Sequence, residues 1–208
     1  MTENSRDRCL LVFAKAPVLG HVKTRLQPIY SPQQSVDLHT QLVNGCLLMA
    51  ATVSDCVTEL WVGSAHHGWS DLSHRYQFDI LQQQGEDLGD RMLHAFQQTL
   101  TTAPKAILIG TDCPFITRSY LLEAFDKLDE CDVVIGPAED GGYVLIGLTA
   151  EHSDLFTGIS WGSDRVLTET VEKIKDLELR YRLLPTLRDI DRPEDVVYWQ
   201  SQQSSLNL

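Results

Sequence analysis

Apolar and polar positions alternate along the chain in blocks that switch between the period of a strand and that of a helix. Short runs that are almost wholly apolar are typical of strands buried on both faces of a sheet. Residues 8–14 form a run of this kind, and strands are also predicted at residues 57–62, 78–81, 105–110, 132–137, 143–148 and 179–184. Between most of them, apolar side chains recur at intervals of three and four, which is the spacing of one helix face.

Capping residues indicate where the helices begin. Ser31 is followed directly by a proline, and that pair is typical of a helix start, because serine caps the first turn and proline is tolerated inside it. Asp87 and Thr117 stand in the same position before two further amphipathic stretches. Two more helices are predicted at about 163–175 and from Pro193 onward.

Strands that alternate with helices predict an α/β fold, a doubly wound and mostly parallel sheet flanked by helices on both faces. The sequence has no internal repeat, linker or shift in composition, so we expect one domain over residues 1–208. Ligands of such sheets bind beyond the carboxyl ends of the strands. Chemistry is therefore expected just after Ala14, Gly110 and Pro137.

The composition narrows the classes of partner. The formal net charge is −12 and the pI is about 4.9, whereas nucleic-acid binders are usually basic, so we expect no nucleic-acid partner. No apolar run approaches the roughly 20 residues that span a bilayer, and the polar N-terminus does not resemble a signal peptide. We therefore expect a cytoplasmic protein without a membrane partner. The sequence leaves the oligomeric state open.

Cysteine and histidine patterns give weak signals. The five cysteines are odd in number and lack the spacing of zinc or redox pairs, so we expect reduced, mostly buried thiols. His66 and His67, together with His74, suggest either a metal site or exposed histidines in a polar loop. The second interpretation is favoured, because the surrounding residues are polar.

Basic residues are concentrated near the N-terminus. Residues 1–25 contain five basic and two acidic side chains, and no Lys or Arg follows until Arg75. Lys15, Lys23 and Arg25 fall in the loop after the first strand, which has neither a dinucleotide fingerprint nor a Walker motif. Cations at the carboxyl end of a strand can hold a diphosphate through charge-assisted hydrogen bonds. The alternative is a solvated loop whose charges have no ligand.

Acidic residues follow two other segments. Asp112 comes directly after an apolar strand, where a carboxylate can bind Mg²⁺ or Mn²⁺ with phosphates as further ligands. Asp189 and Asp191 lie between the last strand and the last helix, and one of them could join Asp112 at a metal. Each of these three residues could equally be a turn or cap residue. Cys113 as a nucleophile is disfavoured, because no histidine partner is indicated.

A third segment, Asp140-Gly141-Gly142, permits a tight turn and a close approach to a ligand. Asp140 could accept a proton or bind a sugar hydroxyl there. The alternative is a plain hairpin turn, since Asp-Gly is a strong hairpin signal.

Together these segments resemble the DUF2064 group of small bacterial glycosyltransferases linked to arsenosugar biosynthesis. The group has a K-x-P-x-x-G-x-V-K-T-R-L loop, matched by residues 15–26, and a G-x-D-C-P segment, matched by residues 110–114. It also has the segments D-G-G-Y-x-L-I-G, Q-x-G-x-D-L-G-x-R-M and D-x-D-x-P-E-D, matched here by residues 140–147, 83–92 and 189–195. Arg192 stands where threonine is usual. The resemblance covers about residues 9–197.

This resemblance implies a fold like that of the GT-A nucleotide-diphospho-sugar transferases and a divalent metal, Mg²⁺ or Mn²⁺. It implies that Asp112, with Asp191, holds the metal and that Asp140 contacts a substrate or serves as base. The residues implied to bind substrate are Lys15, Lys23, Arg25, Gly85, Asp87, Gly141 and Gly142, with Gly85 and Asp87 near the nucleoside.

The expected reaction is transfer of a sugar from a nucleotide sugar to a small-molecule acceptor. The first alternative is nucleotidyl transfer, in which a phosphorylated small molecule attacks a nucleoside triphosphate and pyrophosphate leaves. The second alternative is a nucleotide-binding protein without catalysis.

Overall fold

The computed structural model describes residues 7–27 and 29–206, with side chains up to residue 203. We call the loop that follows β1, residues 15–28, the basic loop; its last residue, Pro28, lies outside the described residues. The strands in the described part are β1 (Cys9–Ala14), β2 (Val57–Val62), β3 (Asp79–Gln82), β4 (Ala106–Gly110), β5 (Val133–Pro137), β6 (Tyr143–Leu148) and β7 (Tyr181–Leu183). The helices are α1 (Pro32–Ala50), α2 (Gly68–Tyr76), α3 (Leu88–Thr99), α4 (Arg118–Lys127), α5 (Val166–Asp176) and α6 (Pro193–Leu206). Two short 3₁₀ turns span Thr24–Leu26 and Ser153–Phe156.

The strands form one sheet in the order β3-β2-β1-β4-β6-β5-β7. Strand β6 is antiparallel to both neighbours, and the other strand pairs are parallel. The chain leaves β1 toward β2 and β3, then returns to place β4 on the other side of β1. The carboxyl ends of β1 and β4 therefore flank the point where the winding direction reverses, which is the usual ligand crevice of such sheets.

The core confirms the prediction of helices on both faces. One face of the sheet packs against apolar side chains of α1, α2 and α4, and the other packs against side chains of α3 and α5. A smaller cluster joins the 3₁₀ turn after β1 to α1 and α6 through Leu26, Leu42, Ile190 and Trp199. Because Leu26 is fully buried there, the basic loop is fixed at its far end.

The predicted helix starts are confirmed. Ser31 accepts a hydrogen bond from the Gln34 amide while the Gln34 side chain accepts one from the Ser31 amide, which completes a capping box. The Asp87 and Thr117 side chains accept hydrogen bonds from the third residue of α3 and of α4, respectively. These caps begin the helices at the positions that the sequence indicates.

His67 and His74 are exposed, as expected, but the loop predicted around them is wrong, because Gly68–Tyr76 forms α2. Trp69 is buried and Leu72 packs beside it, so the helix is held by one narrow apolar stripe. Among the described residues, no side chain caps the first turn of α2, so the sequence lacks the capping residue that usually indicates where a helix begins. Strand β7 is also shorter than predicted. None of the helices in the described ranges is long and apolar enough to cross a membrane.

Candidate active site

The basic loop leaves β1 and folds over the end of the sheet. Gly20 has a φ of 77°, where glycine is unstrained, and the His21 amide donates to the Val18 carbonyl to close the turn. Lys23 has a φ of 51°, which is uncommon for a residue with a side chain. This backbone turns Lys23 inward just before the Thr24–Leu26 turn.

Lys23 joins the basic loop to the end of β4. Its side chain is only 4% exposed, and its ammonium lies 2.8 Å from Asp112 Oδ1. It also donates to the Ile190 carbonyl. The Asp112 side chain as a whole is 47% exposed, although its Oδ1 atom is buried beside the ammonium. Two residues predicted to share a site are thus in direct contact.

Arg25 lies on the outer side of the same loop. Its Nη1 donates to Asp191 Oδ2 at 2.8 Å, and its side chain is 58% exposed. The hydrogen bond and charge of Asp191, together with the nearby carboxylates of Asp140 and Asp189, raise the pKa of the Arg25 guanidinium. Because a guanidinium has five N–H donors, the bond to Asp191 leaves donors for a ligand.

These residues surround a cavity of about 300 Å³ at the winding reversal, which we call the basic cavity. It is lined by Lys15, His21, Val22, Lys23, Thr24, Arg25, His39, Asp112 and Asp191. Three cations supplied by one loop face two carboxylates supplied by other segments. That arrangement suits a small polyanion together with a metal cation.

His39 is a lining residue that the sequence analysis did not identify. It lies on α1, is 3% exposed, and its Nε2 is 2.9 Å from the Lys15 carbonyl oxygen. Its Nδ1 is 3.9 Å from Asp112 Oδ1. Burial lowers the pKa of His39, which keeps the ring neutral at pH 7. In the sequence, His39 sits among the apolar positions of a helix and gives no separate signal.

A second cavity of about 190 Å³ adjoins the first, and Asp112 lines both. We call it the acidic cavity, because Asp140 and Asp189 also line it. Burial, followed by the charges of Asp140 and Asp112, raises the pKa of Asp189 to about 6. Three carboxylates in one small space therefore repel one another, which a bound cation or a hydroxyl donor would relieve.

The Asp140-Gly141-Gly142 segment is the turn of a hairpin, because β5 and β6 are antiparallel neighbours. The Gly142 amide donates to Asp140 Oδ1 at 2.9 Å, which fixes the carboxylate at the cavity wall. Gly141 has a φ of 90° and packs so closely on the Asp164 backbone that a Cβ would collide with it. The hairpin alternative is thus confirmed, and the same turn lines the acidic cavity.

The chain matches the family model described as "Uncharacterized protein conserved in bacteria (DUF2064)" over residues 47–163. The chain belongs to the DUF2064 family. A DUF2064 resemblance was expected from the five motifs, and the match confirms it. The matched stretch includes Asp112 and the Asp140 turn, whereas the basic loop lies before it.

Two relatives connect this DUF2064 protein to nucleotide chemistry. A solved structure from Desulfovibrio desulfuricans G20, provisionally assigned as a nucleotide-diphospho-sugar transferase, is 32% identical with a TM-score of 0.82 and covers 89% of this chain and 83% of that one. The 2-phospho-L-lactate guanylyltransferase of Methanothermobacter thermautotrophicus is 27% identical over 123 residues, 59% of this chain. That match spans 54%, about half, of the guanylyltransferase.

Two solved structures share the fold at low identity. The 4-diphosphocytidyl-2C-methyl-D-erythritol synthase of Anaerococcus prevotii is 8% identical with a TM-score of 0.63 and covers 96% of this chain and 99% of that one. Rv0371c of Mycobacterium tuberculosis, complexed with manganese, is 14% identical with a TM-score of 0.57 and covers 92% and 97%. The fold is therefore that of the nucleotide-diphospho-sugar transferases.

A third cavity, of about 410 Å³, shares Lys15 and His21 with the basic cavity, and the predicted residues Gly85 and Asp87 do not line it. Asp87 is engaged as the cap of α3. Gly85, with a φ of 141°, accepts a hydrogen bond from Arg91 Nε through its carbonyl. Arg91 lines this cavity together with Gly63 and Ser64. The motif at residues 83–92 thus positions Arg91, which was not among the site residues predicted from the sequence.

The two predicted metal ligands contact cations of the protein itself, Lys23 for Asp112 and Arg25 for Asp191. Among the described residues, no group of three or more His, Cys, Asp or Glu side chains is placed to hold a metal. The carboxylates around Asp112 are nevertheless the hard oxygen donors that Mg²⁺ and Mn²⁺ prefer. They fit a cation that completes its coordination with phosphate oxygens and water.

Cys113 does not fit the role of a nucleophile. It is buried, its thiol donates to the Arg188 carbonyl, and burial raises its pKa to about 12. A thiol with this pKa is almost entirely protonated near neutral pH. The five cysteines are free and buried or partly buried, as expected.

Proposed function

We propose that this protein is a nucleotidyltransferase that joins a nucleoside monophosphate to a phosphorylated small molecule. The observation that carries the proposal is the basic cavity, where Lys15, Lys23 and Arg25 meet Asp112 at the winding reversal of the sheet. A triphosphate chain needs several cations and a metal-binding carboxylate in one place. The likeness to a guanylyltransferase supports this reaction over glycosyl transfer.

In the proposed reaction, a phosphate oxygen of the acceptor attacks the α-phosphorus of a nucleoside triphosphate. The bond from the acceptor oxygen to the α-phosphorus forms, the bond from the α-phosphorus to the bridging oxygen breaks, and pyrophosphate leaves with that electron pair. Lys15, Lys23 and Arg25 stabilise the charge on the leaving pyrophosphate. The acceptor phosphate is largely deprotonated at pH 7, so the attack needs no general base.

Asp112 would hold Mg²⁺ or Mn²⁺, which would supply positive charge at the transferred phosphoryl group. The nucleoside is proposed to occupy the cavity lined by Gly63, Ser64 and Arg91, which adjoins the phosphate position. Gly85 and Asp87 act there by fixing the start of α3 and so the position of Arg91. The acceptor then enters from the acidic cavity.

One observation favours glycosyl transfer as the second candidate. The acidic cavity presents Asp112, Asp140 and Asp189, and carboxylates bind the hydroxyl groups of a sugar acceptor better than a phosphate. In that reaction, Asp140 would accept the proton of the attacking hydroxyl, and Gly141 and Gly142 would allow the acceptor to approach the turn. The relative from Desulfovibrio desulfuricans supports this reaction by its provisional assignment.

Product analysis separates these reactions. The full-length protein is incubated with Mg²⁺ or Mn²⁺ and each nucleoside triphosphate plus phosphorylated hydroxy acids, or with nucleotide sugars plus alcohols. We expect pyrophosphate and a nucleotide-linked product. Asp112→Asn should lower the rate by at least about 100-fold, and the surface control Asp126→Asn should leave it unchanged. Release of nucleoside diphosphate from a nucleotide sugar would establish glycosyl transfer instead, and binding without turnover would indicate a non-catalytic protein.

A further inference from the structure

We propose that His39, through Nδ1, is a ligand of the divalent cation that Asp112 holds, and that it tunes the site toward Mn²⁺. This inference rests on the proposed metal site at Asp112. His39 belongs to none of the five motifs of the family resemblance, and it comes from α1, an element that otherwise serves the core. His39 and Asp112 would then supply one nitrogen ligand and one oxygen ligand at the same wall of the basic cavity.

The hydrogen bonding of the ring fixes which nitrogen is available. A carbonyl oxygen can only accept, so His39 Nε2 must donate its proton to the Lys15 carbonyl. In the neutral ring, Nδ1 is then left with a lone pair and no proton. Metal-binding histidines almost always donate the other ring N–H to a carbonyl or carboxylate in this way. His39 therefore has both the tautomer and the orienting bond of a metal ligand.

Nδ1 is buried and has no hydrogen-bond partner among the described residues. A buried polar atom without a partner is costly, so its persistence at a cavity wall indicates that a ligand satisfies it. Asp112 Oδ1, the nearest carboxylate atom, is 3.9 Å away. That separation is within reach of two metal bonds of about 2.1 Å each. Both atoms can accept but not donate, so only a cation or a donor can fill the space between them.

The Lys23 ammonium competes for this position. It lies 2.8 Å from the same Asp112 oxygen, so it must move for a divalent cation to bind Oδ1. The phosphate chain of a nucleotide provides the alternative partner for Lys23. Asp191, in contrast, is already bonded to Arg25 on the outer side of the loop. His39 is thus the better candidate for the second protein ligand.

The ligand type predicts the preferred metal. An imidazole nitrogen binds Mn²⁺ and the later first-row metals better than Mg²⁺, which strongly prefers oxygen. We therefore expect Mn²⁺ to bind more tightly than Mg²⁺ even without nucleotide. Removing the nitrogen should lower the affinity for Mn²⁺ more than the affinity for Mg²⁺.

The first test uses Mn²⁺ alone with the wild-type protein, so it needs neither activity nor a variant. Paramagnetic Mn²⁺ should broaden the ring signals of His39 in an NMR titration at substoichiometric metal. His94 is the internal control, because its Nδ1 also lacks a partner among the described residues but its ring packs on Trp61 instead of lining the basic cavity. Equal broadening of both rings, or none at His39, would overturn the proposal.

The second test measures Mn²⁺ and Mg²⁺ affinities of variants by calorimetry and by loss of the free Mn²⁺ spin-resonance signal. His39→Phe should weaken Mn²⁺ by about tenfold or more, and Asp191→Asn should change it less than threefold. Lys23→Met should strengthen Mn²⁺ by about tenfold, because it removes a competing cation. A His39→Phe protein that is folded and binds Mn²⁺ normally would overturn the proposal. Failure of the proposed reaction would appear separately, as missing pyrophosphate with metal binding intact.

Discussion

Lys23 and Arg25 are near neighbours in the sequence, but they occupy opposite environments. Lys23 is buried between Asp112 and the Ile190 carbonyl, so its removal would leave a carboxylate and a carbonyl without their cation. Arg25 is exposed, and Asp191 is its only hydrogen-bond partner among the described residues. Arg25 is therefore the residue whose truncation reports on phosphate binding with little structural effect.

We predict that Arg25→Ala weakens binding of a nucleoside triphosphate by about tenfold and leaves binding of the nucleoside unchanged, because a hydrogen bond to a charged group contributes about 1.5–3 kcal/mol. Arg25→Lys should recover only part of the loss, since a lysine lacks the bidentate fork. Calorimetric titration measures both ligands. Arg8→Ala is the control, because Arg8 pairs with Asp126 at the other end of β1. An equal loss for nucleoside and triphosphate would assign Arg25 a structural role.

At the residue scale, the site residues that could be predicted from the sequence are those that stand directly after a strand. Lys15 and Asp112 could be placed at one edge because each stands at the end of an apolar run. His39 could not be found this way, because its chemistry arises from a contact with the Lys15 carbonyl that only the folded loop creates. The raised pKa of Asp189 likewise depends on burial and on carboxylates from two other segments.

The turn between β5 and β6 shows how an element positions a side chain. Gly141 adopts a backbone conformation that disfavours a side chain, and its carbonyl accepts from the Leu167 amide. This bond ties the turn to the start of α5. Asp140 is thereby held at the acidic cavity by β5, which precedes it, and by α5, to which the turn is bonded.

Gly141→Ala should destabilise the protein by at least about 2 kcal/mol more than Gly158→Ala. Both glycines have positive φ, so both substitutions carry a strain of about 1–2 kcal/mol. A Cβ at Gly141 also collides with the Asp164 backbone, whereas a Cβ at Gly158 meets open space. Urea unfolding gives the free energies. Similar losses for the two variants would show that the turn can move away from α5.

The edge strand β7 is attached through an ion pair. Arg180, just before β7, donates to both carboxylate oxygens of Asp132 through its side chain and to one through its amide. These bonds hold the pKa of Asp132 below its ordinary value of 3.8. Asp132→Asn should therefore lower the free energy of unfolding at pH 7 by about 1 kcal/mol.

The sign of the pH dependence is set by the lowered pKa. Unfolding releases Asp132 from Arg180, so the unfolded chain takes up a proton at higher pH than the folded one. The advantage of the wild type is complete above pH 3.8 and disappears as the pH falls through the folded-state value. The difference in unfolding free energy between wild type and Asp132→Asn should thus shrink as the pH is lowered from 7 to below 3.8. A gap that stays constant would mean that the ionised carboxylate of Asp132 is not the source of the difference.

At the element scale, strands buried on both faces were predictable almost to the residue, because β1 and β6 are nearly continuous apolar runs. The helix Gly68–Tyr76 was not predictable in this way, because it packs only about one side chain per turn against the core. Among the described residues, no side chain caps its first turn. The end of β7 was also misjudged. An edge strand is paired on one side only, so its length depends on its partner more than on its own sequence.

At the scale of the whole molecule, the strand order determines the site. Placing β1 beside β4 brings the basic loop against Asp112, although about 90 residues of chain separate them. The third, basic and acidic cavities then follow one another along the same edge, sharing Lys15 and Asp112. Although the net charge of the chain is −12, the cations of the basic loop are concentrated at this edge, where they attract a small polyanion.

The central claim is that the basic cavity binds the phosphate chain of a nucleotide. The most direct measurement is calorimetric titration of the full-length protein with the four ribonucleoside triphosphates and their nucleosides, in the presence of Mn²⁺ or Mg²⁺. At least one triphosphate should bind about 100-fold or more tightly than its nucleoside, because two or more charged contacts are added. Added salt should reduce that difference. Equal affinity for a triphosphate and its nucleoside, or no binding of any triphosphate, would contradict the account.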